Sequence, residues 1–253
     1  MDIAVVSIFP DMFDLITDFG VIGRAISQDK VRLHLVNPRD YTEDTYRRVD
    51  DRPYGGGPGM VMMAEPLARA IGHAKGLVGK DAKVVYLSPQ GKPFTHSDSK
   101  ALAELPAIIM IAGRYEGVDQ RIIDSFVDEQ WSIGDFVVSG GELPAMLIID
   151  GLCRQLPDAL GNEASAEQDS FAQGLLDCPH YTRPEDFEGQ TVPPVLLSGH
   201  HENIERWRLK QQLGATWRQR PDLLEKRDLT QEESQLLEEF ITEIESDTSS
   251  GDS

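Results

Sequence analysis

Cysteine is scarce, with two in 253 residues, Cys153 and Cys178, and no CxxC pair. That pattern supports neither a disulfide framework nor a cysteine-based zinc site, and it fits two reduced, buried thiols. No apolar run approaches the ~18–20 residues that a membrane-crossing helix needs. The N-terminal stretch MDIAVVSIFPD has no basic n-region and carries acids at once, so a cytoplasmic protein without a secretory signal is expected. Bases are also few: 24 Lys and Arg stand against 43 Asp and Glu, a net charge of −19. Such a balance argues against nucleic acid as a partner. The nucleotide fingerprints are missing as well. Gly55-Gly-Gly-Pro-Gly59 matches neither GxGxxG nor GxxxxGKS/T, so a Rossmann dinucleotide site and a P-loop are not supported.

What is present softens the charge argument. Residues 228–253 hold nine acids and no base, almost half of the excess. Residues 199–227 hold seven bases (Arg206, Arg208, Lys210, Arg218, Arg220, Lys226, Arg227) against four acids, a local net charge of +3. A basic patch of this kind can serve an RNA while the whole chain stays acidic. With 40% hydrophobic and 26% charged residues the composition is that of a globular protein, and the length suits two domains.

Residues 2–9 read as a buried strand stopped by Pro10, 13–26 as a helix broken at Gly20, and 31–36 as a second strand. The long segment 40–60 brings Arg47, Arg48 and Arg52 together with Tyr46 and Tyr54, a pairing suited to phosphate and base contact. Helices are expected over 64–75, 95–104, 119–124 and 144–154, the last starting from Glu142, and strands over 83–87, 107–111 and 126–131. Strands alternating with helices over 1–160 imply an α/β layer with a mostly parallel sheet, helices on both faces. Residues 161–170 have the composition of a linker. Beyond it, 193–199 reads as extended, 200–213 as a helix, Trp217 and Pro221 as bounding a turn, and 232–244 as an acidic amphipathic helix. The end of the chain is expected to be disordered.

Three loops stand out. Tyr86-Leu-Ser-Pro-Gln-Gly-Lys92, Ala112-Gly-Arg-Tyr-Glu-Gly-Val-Asp119 and Ser132-Ile-Gly-Asp-Phe-Val-Val-Ser-Gly-Gly-Glu-Leu-Pro144 each follow an apolar strand and precede a helical pattern. Gly134, Gly140 and Gly141 sit where a backbone turns tightly or approaches a ligand. Loops at the carboxyl ends of successive strands suggest one ligand crevice.

GRYEGVDQR at 113–121, SIGDFVVSGGELPA at 132–145, DSFAQGLLDCPHYTRP at 169–184 and LLSGHHENIERWR at 196–208 together resemble the bacterial tRNA (guanine-N1)-methyltransferases of the TrmD type, in the SPOUT class. RPYGGGPGMVM at 52–62 and SPQGKPF at 88–94 fit as well. The resemblance implies an S-adenosylmethionine-dependent homodimer, its active site at the subunit interface, with a deep trefoil knot in the sheet. It also implies methylation of ring nitrogen 1 of the guanosine immediately 3′ of the anticodon (position 37), which must leave its stack. The domains expected are a cofactor-binding domain over 1–160, a flexible linker over 161–172, a small helical tRNA-binding domain over 173–246 and a disordered acidic tail over 247–253. Neither membrane nor DNA is an expected partner.

Carried over by position, the family's donor pocket falls on Tyr86, Leu87, Ser88 and Pro89; on Gly113, Tyr115 and Glu116; and on Ile133, Gly134, Phe136, Val138, Gly140, Gly141 and Pro144. Phe136 stands where the family commonly has Tyr, so a hydroxyl is lost. Asp169 matches the general base and Arg154 the partner of the guanine oxygen. Gly59, Ser165, Ser170, His180 and Arg183 are candidate substrate contacts. Glu116 is the residue tied to a magnesium-dependent step, with no protein cage assigned because magnesium keeps its waters. Two other readings compete: a SPOUT enzyme acting on another RNA, and a tRNA-binding protein without catalysis.

Overall fold

The computed structural model describes residues 1–159 and 169–250, the last four by backbone alone. The chain divides into two compact units, Met1–Glu163 and Ala164–Ser253.

The first unit is built on a five-stranded sheet. In chain order its elements are β1 (Asp2–Val6), α1 (Gly20–Ser27), β2 (Arg32–Val36), α2 (Ala64–Val78), β3 (Lys83–Pro93), α3 (His96–Ala103), β4 (Ala107–Ala112), α4 (Gln120–Phe126), β5 (Glu129–Ser132) and α5 (Glu142–Cys153). The strand order is β2-β1-β4-β3-β5, with every pairing parallel. A parallel sheet is covered on both faces, and its strands are correspondingly apolar throughout. Every residue of β4, Ala-Ile-Ile-Met-Ile-Ala, is buried. Ile3, Val5, Ile108 and Met110 face a core shared with α1, α3 and α5, while Ala4, Val6, Ile109 and Ile111 face one shared with α2 and α4. The α/β class and the parallel sheet agree with the sequence reading.

The predicted break at Gly20 is present: the residue opens α1 at φ +66°, after a single turn at Asp14–Thr17. Two boundaries differ from expectation. The strand after residue 126 does not include Phe126 or Val127; Phe126 closes α4, capped at its start by the Asp119 carboxylate, and the sheet resumes only at Glu129. β3 does not stop at Leu87. It continues to Pro93, with Leu87 and Lys92 both opposite Trp131, so the intervening residues bulge outward. An apolar run cannot show this, because the continuation depends on pairing with β5. α5 is also more buried than an amphipathic helix: only Leu143, Leu147 and Asp150 are exposed along it.

The second unit contains α6 (His201–Gln219) and α7 (Gln231–Ser250), with short helices at Pro194–Leu197 and Pro221–Leu224 and a ribbon pairing Asp186–Phe187 with Gln190–Thr191. Leu175, Leu213 and Leu236 form its core. Residues 193–199 are thus partly helical rather than extended, and Trp217 lies inside α6 rather than at a turn. The backbone stays helical to Ser250, so the tail expected to be disordered from 247 continues α7, since nothing before Gly251 breaks it. Most of the 161–172 linker lies outside the described residues.

Candidate functional site

The bulged middle of β3 and the ends of β4 and β5 open onto a cavity of about 280 Å³. Of the fourteen residues assigned to the donor, thirteen line it: Tyr86, Leu87, Ser88, Pro89, Gly113, Tyr115, Glu116, Ile133, Phe136, Val138, Gly140, Gly141 and Pro144. Gly134 does not line it; it sits at φ +140°, where its carbonyl accepts from the Phe136 N–H at 2.9 Å. Glycine is needed where the loops meet their neighbours. A Cβ on Gly113 would lie 2.8 Å from the Tyr86 ring, and one on Gly141 would lie 2.6 Å from Ala112 Cα. The Gly141 N–H donates to Gly113 O at 2.8 Å, tying two of the loops together.

Tyr86 is buried, and burial raises its phenol pKa. Its ring fills the space that a side chain at position 113 would take. Tyr115 adopts φ +60°, a left-handed conformation costly for an aromatic residue, and burial raises its pKa too. The surroundings hold this strain. The Glu116 N–H donates to Met60 O at 2.9 Å, and the Met62 N–H to Gly117 O at 2.9 Å. Gly59, at φ +78°, lies against the Glu116 side chain so tightly that a Cβ would collide with it. The candidate substrate contact at 59 therefore packs on a residue that lines the cavity. Phe136 is half exposed at the cavity mouth.

The other predicted residues fall elsewhere. Arg154 caps the end of α5, its N–H on Asp150 O at 3.1 Å, and is partly buried. Asp169 opens a turn in the second unit, with its carbonyl accepting from Ala172 N at 3.1 Å. Ser165 lies outside the described residues. Ser170 has a structural role, since its hydroxyl accepts from Asp177 N at 2.9 Å. His180 Nε2 pairs with Asp177 Oδ2 at 2.8 Å, and Arg183 is exposed. Asp177, Cys178 and His180 place ligand-type atoms within 4.8 Å of one another. The two Asp177 oxygens are already engaged, by His180 and by the Cys178 N–H, and burial pushes the Cys178 thiol pKa up, away from the metal-binding thiolate.

The basic patch is largely neutralised within its own unit. Arg206 pairs with Glu239 at 2.8 Å, Lys210 with Glu243 at 2.6 Å, Arg220 with Asp222, and Arg227 with Glu233. The acids of α7 thus answer the bases of α6, a contact that a running charge count cannot show. Arg47 and Arg48 are likewise paired, with Asp40 and Asp44, while Tyr54 is fully exposed. Seven lining residues were not assigned from the sequence (Gln90, Arg114, Gly117, Trp131, Ser132, Val137 and Ser139), and the charged one is Arg114, whose partner Glu142 is 28 residues away. The signal available was a base inside one glycine loop and an acid directly after the other. Among the described residues no helix is long and apolar enough to cross a membrane.

A family model described as tRNA (Guanine-1)-methyltransferase TrmD matches residues 1–226. The chain is 58% identical over 244 residues to the tRNA (guanine-N(1)-)-methyltransferase of Tolumonas auensis, covering 96% of this chain and 98% of that protein. It is also 58% identical to proteins of the same name from Shewanella piezotolerans, over 98% of this chain and 100% of the relative, and from Stutzerimonas stutzeri, over 94% and 96%. The chain therefore belongs to the tRNA (guanine-1)-methyltransferase family TrmD and is an enzyme of the methyltransferase class.

Proposed function

We propose that this enzyme methylates ring nitrogen 1 of the guanosine immediately 3′ of the anticodon in tRNA, using S-adenosylmethionine. The observation that carries the reading is the convergence of the β3 bulge and two glycine loops on one cavity, in a chain of the TrmD family. The donor fits what is present there. Gly113, Gly140 and Gly141 let the main chain approach an adenine edge with no side chain between, and Leu87, Pro89, Ile133, Val138 and Pro144 supply apolar walls. The sulfonium supplies an electrophilic methyl group and leaves as a neutral thioether.

The guanine ring nitrogen carries a proton at neutral pH and is a poor nucleophile until that proton leaves. Asp169 takes it as general base, and Arg154 stabilises the negative charge that develops on the guanine oxygen. An ordinary carboxyl has a pKa of about 3.9, so the transfer needs either a raised pKa or loss of the proton as methyl transfer proceeds. Residues 161–172 act as a linker that orders over bound tRNA, with Gly59, Ser165, Ser170, His180 and Arg183 as substrate contacts. Glu116 would influence a magnesium-dependent step, with no protein cage for the ion because magnesium keeps its waters. The enzyme is a cytoplasmic homodimer with its active site at the subunit interface, and its sheet is knotted.

The test is a pair of tRNA transcripts, one with guanosine and one with adenosine next to the anticodon. The reading expects methyl transfer to the first and none to the second. Equal labelling of both would favour an enzyme acting elsewhere on the RNA, and labelling of neither, without donor binding by calorimetry, would favour a binding protein.

A further inference from the structure

Two walls of the donor cavity are fastened to each other by a buried charge pair. Glu142, in the first turn of α5, is fully buried. Its Oε2 accepts from Arg114 Nε at 2.8 Å and its Oε1 from the Ser7 hydroxyl at 2.7 Å. The same guanidinium donates to Ser139 O at 3.3 Å, and its central carbon stands 4.7 Å from the centre of the Phe9 ring. Ser7 Oγ in turn accepts from Phe9 N at 3.0 Å. Gly140 packs directly on the guanidinium, where a Cβ would collide with it. One side chain from the 113–117 loop therefore grips the 139–142 turn at three successive points and the end of β1 beside it.

A carboxylate out of contact with water is tolerated only with a close cation and further hydrogen bonds, and this one has both. The planar fork of arginine matters, because one donor must reach a carboxylate while another reaches a carbonyl on the same turn. Neither Arg114 nor Glu142 is assigned to the donor or to guanine in the reading above. We infer that Arg114 is a positioning residue for the methyl donor: through Glu142 and Ser139 it sets the spacing between the two glycine loops that hold the donor. The inference rests on the donor-pocket reading of the cavity.

The test compares the wild-type enzyme with Arg114→Lys, Glu142→Gln and the double variant, using S-adenosylhomocysteine as probe in calorimetry, with tRNA affinity and melting temperature measured in parallel. The wild type binds the probe. Each single variant should weaken that binding about tenfold or more, the loss expected for a charged hydrogen bond, with tRNA affinity within about twofold. The double variant should be no worse than the weaker single one, because both act on the same contact. Lowered melting temperatures with probe affinity unchanged in folded single variants would reduce the pair to a structural role and overturn the inference. If either single variant fails to fold, Glu142→Asp, which keeps the charge but shortens its reach to Arg114, replaces it: weaker probe binding upholds the inference and unchanged binding overturns it. A wild type that does not bind the probe would instead sink the donor-pocket reading.

Discussion

At the scale of single residues, the site is governed by what glycine leaves out and by what two charged side chains reach. Gly141 touches backbone at Ala112, which cannot rotate away as a side chain can. Gly141→Ala should therefore destabilise the protein by about 1–3 kcal/mol, read from urea unfolding. Asp169→Ala should bind S-adenosylhomocysteine with unchanged affinity yet slow single-turnover methyl transfer by at least about 10²-fold, the contribution of a positioned base. Turnover near the wild-type rate would remove Asp169 from that role. The glycine loops were legible because each signal is contiguous in sequence. Arg114 was not, since its meaning depends on a carboxylate brought to it by the parallel sheet. Ser170 and His180, read as substrate contacts, show hydrogen bonds that shape their own turn.

At the scale of elements, the sheet delivers the three loops to one edge of the first unit, and α6 and α7 make the second. Strand and helix identities followed from apolar period. Boundaries that depend on partners, such as the extension of β3 beside β5, did not. The α6–α7 pair shows which forces carry an element. Its ion pairs are partly exposed, so Arg206→Ala should change stability by less than about 1 kcal/mol. Leu236 is fully buried among Leu175 and Leu213, so Leu236→Ala should cost about 2–5 kcal/mol. Denaturant unfolding checks both. Gly214, packed on the Phe240 ring, explains how closely the two helices approach.

Across the whole molecule, the excess of carboxylates commits many of the bases that an RNA substrate would otherwise meet. The salt dependence of tRNA binding should accordingly be shallow, with a log–log slope of magnitude below about 4, corresponding to few neutralised phosphates. Acid stability follows from carboxylates with lowered pKa values. A hydrogen bond from Lys83 lowers that of Glu129, and one with His34 lowers that of Asp2. Groups depressed in the folded state contribute stability that is complete above their unfolded values, about 4, and lost as pH falls through the folded ones. Stability should therefore fall as the pH drops below about 5, and Glu129→Gln should flatten that fall in a pH series of melting temperatures. The asymmetry of charge along the chain was visible from composition; its cancellation between α6 and α7 required the fold. The most direct test of the central claim is digestion of methylated tRNA followed by mass spectrometry of the nucleosides and mapping of the modified position. The account predicts 1-methylguanosine immediately 3′ of the anticodon and nowhere else. A methyl group on another base, or on another atom of that guanosine, would contradict it.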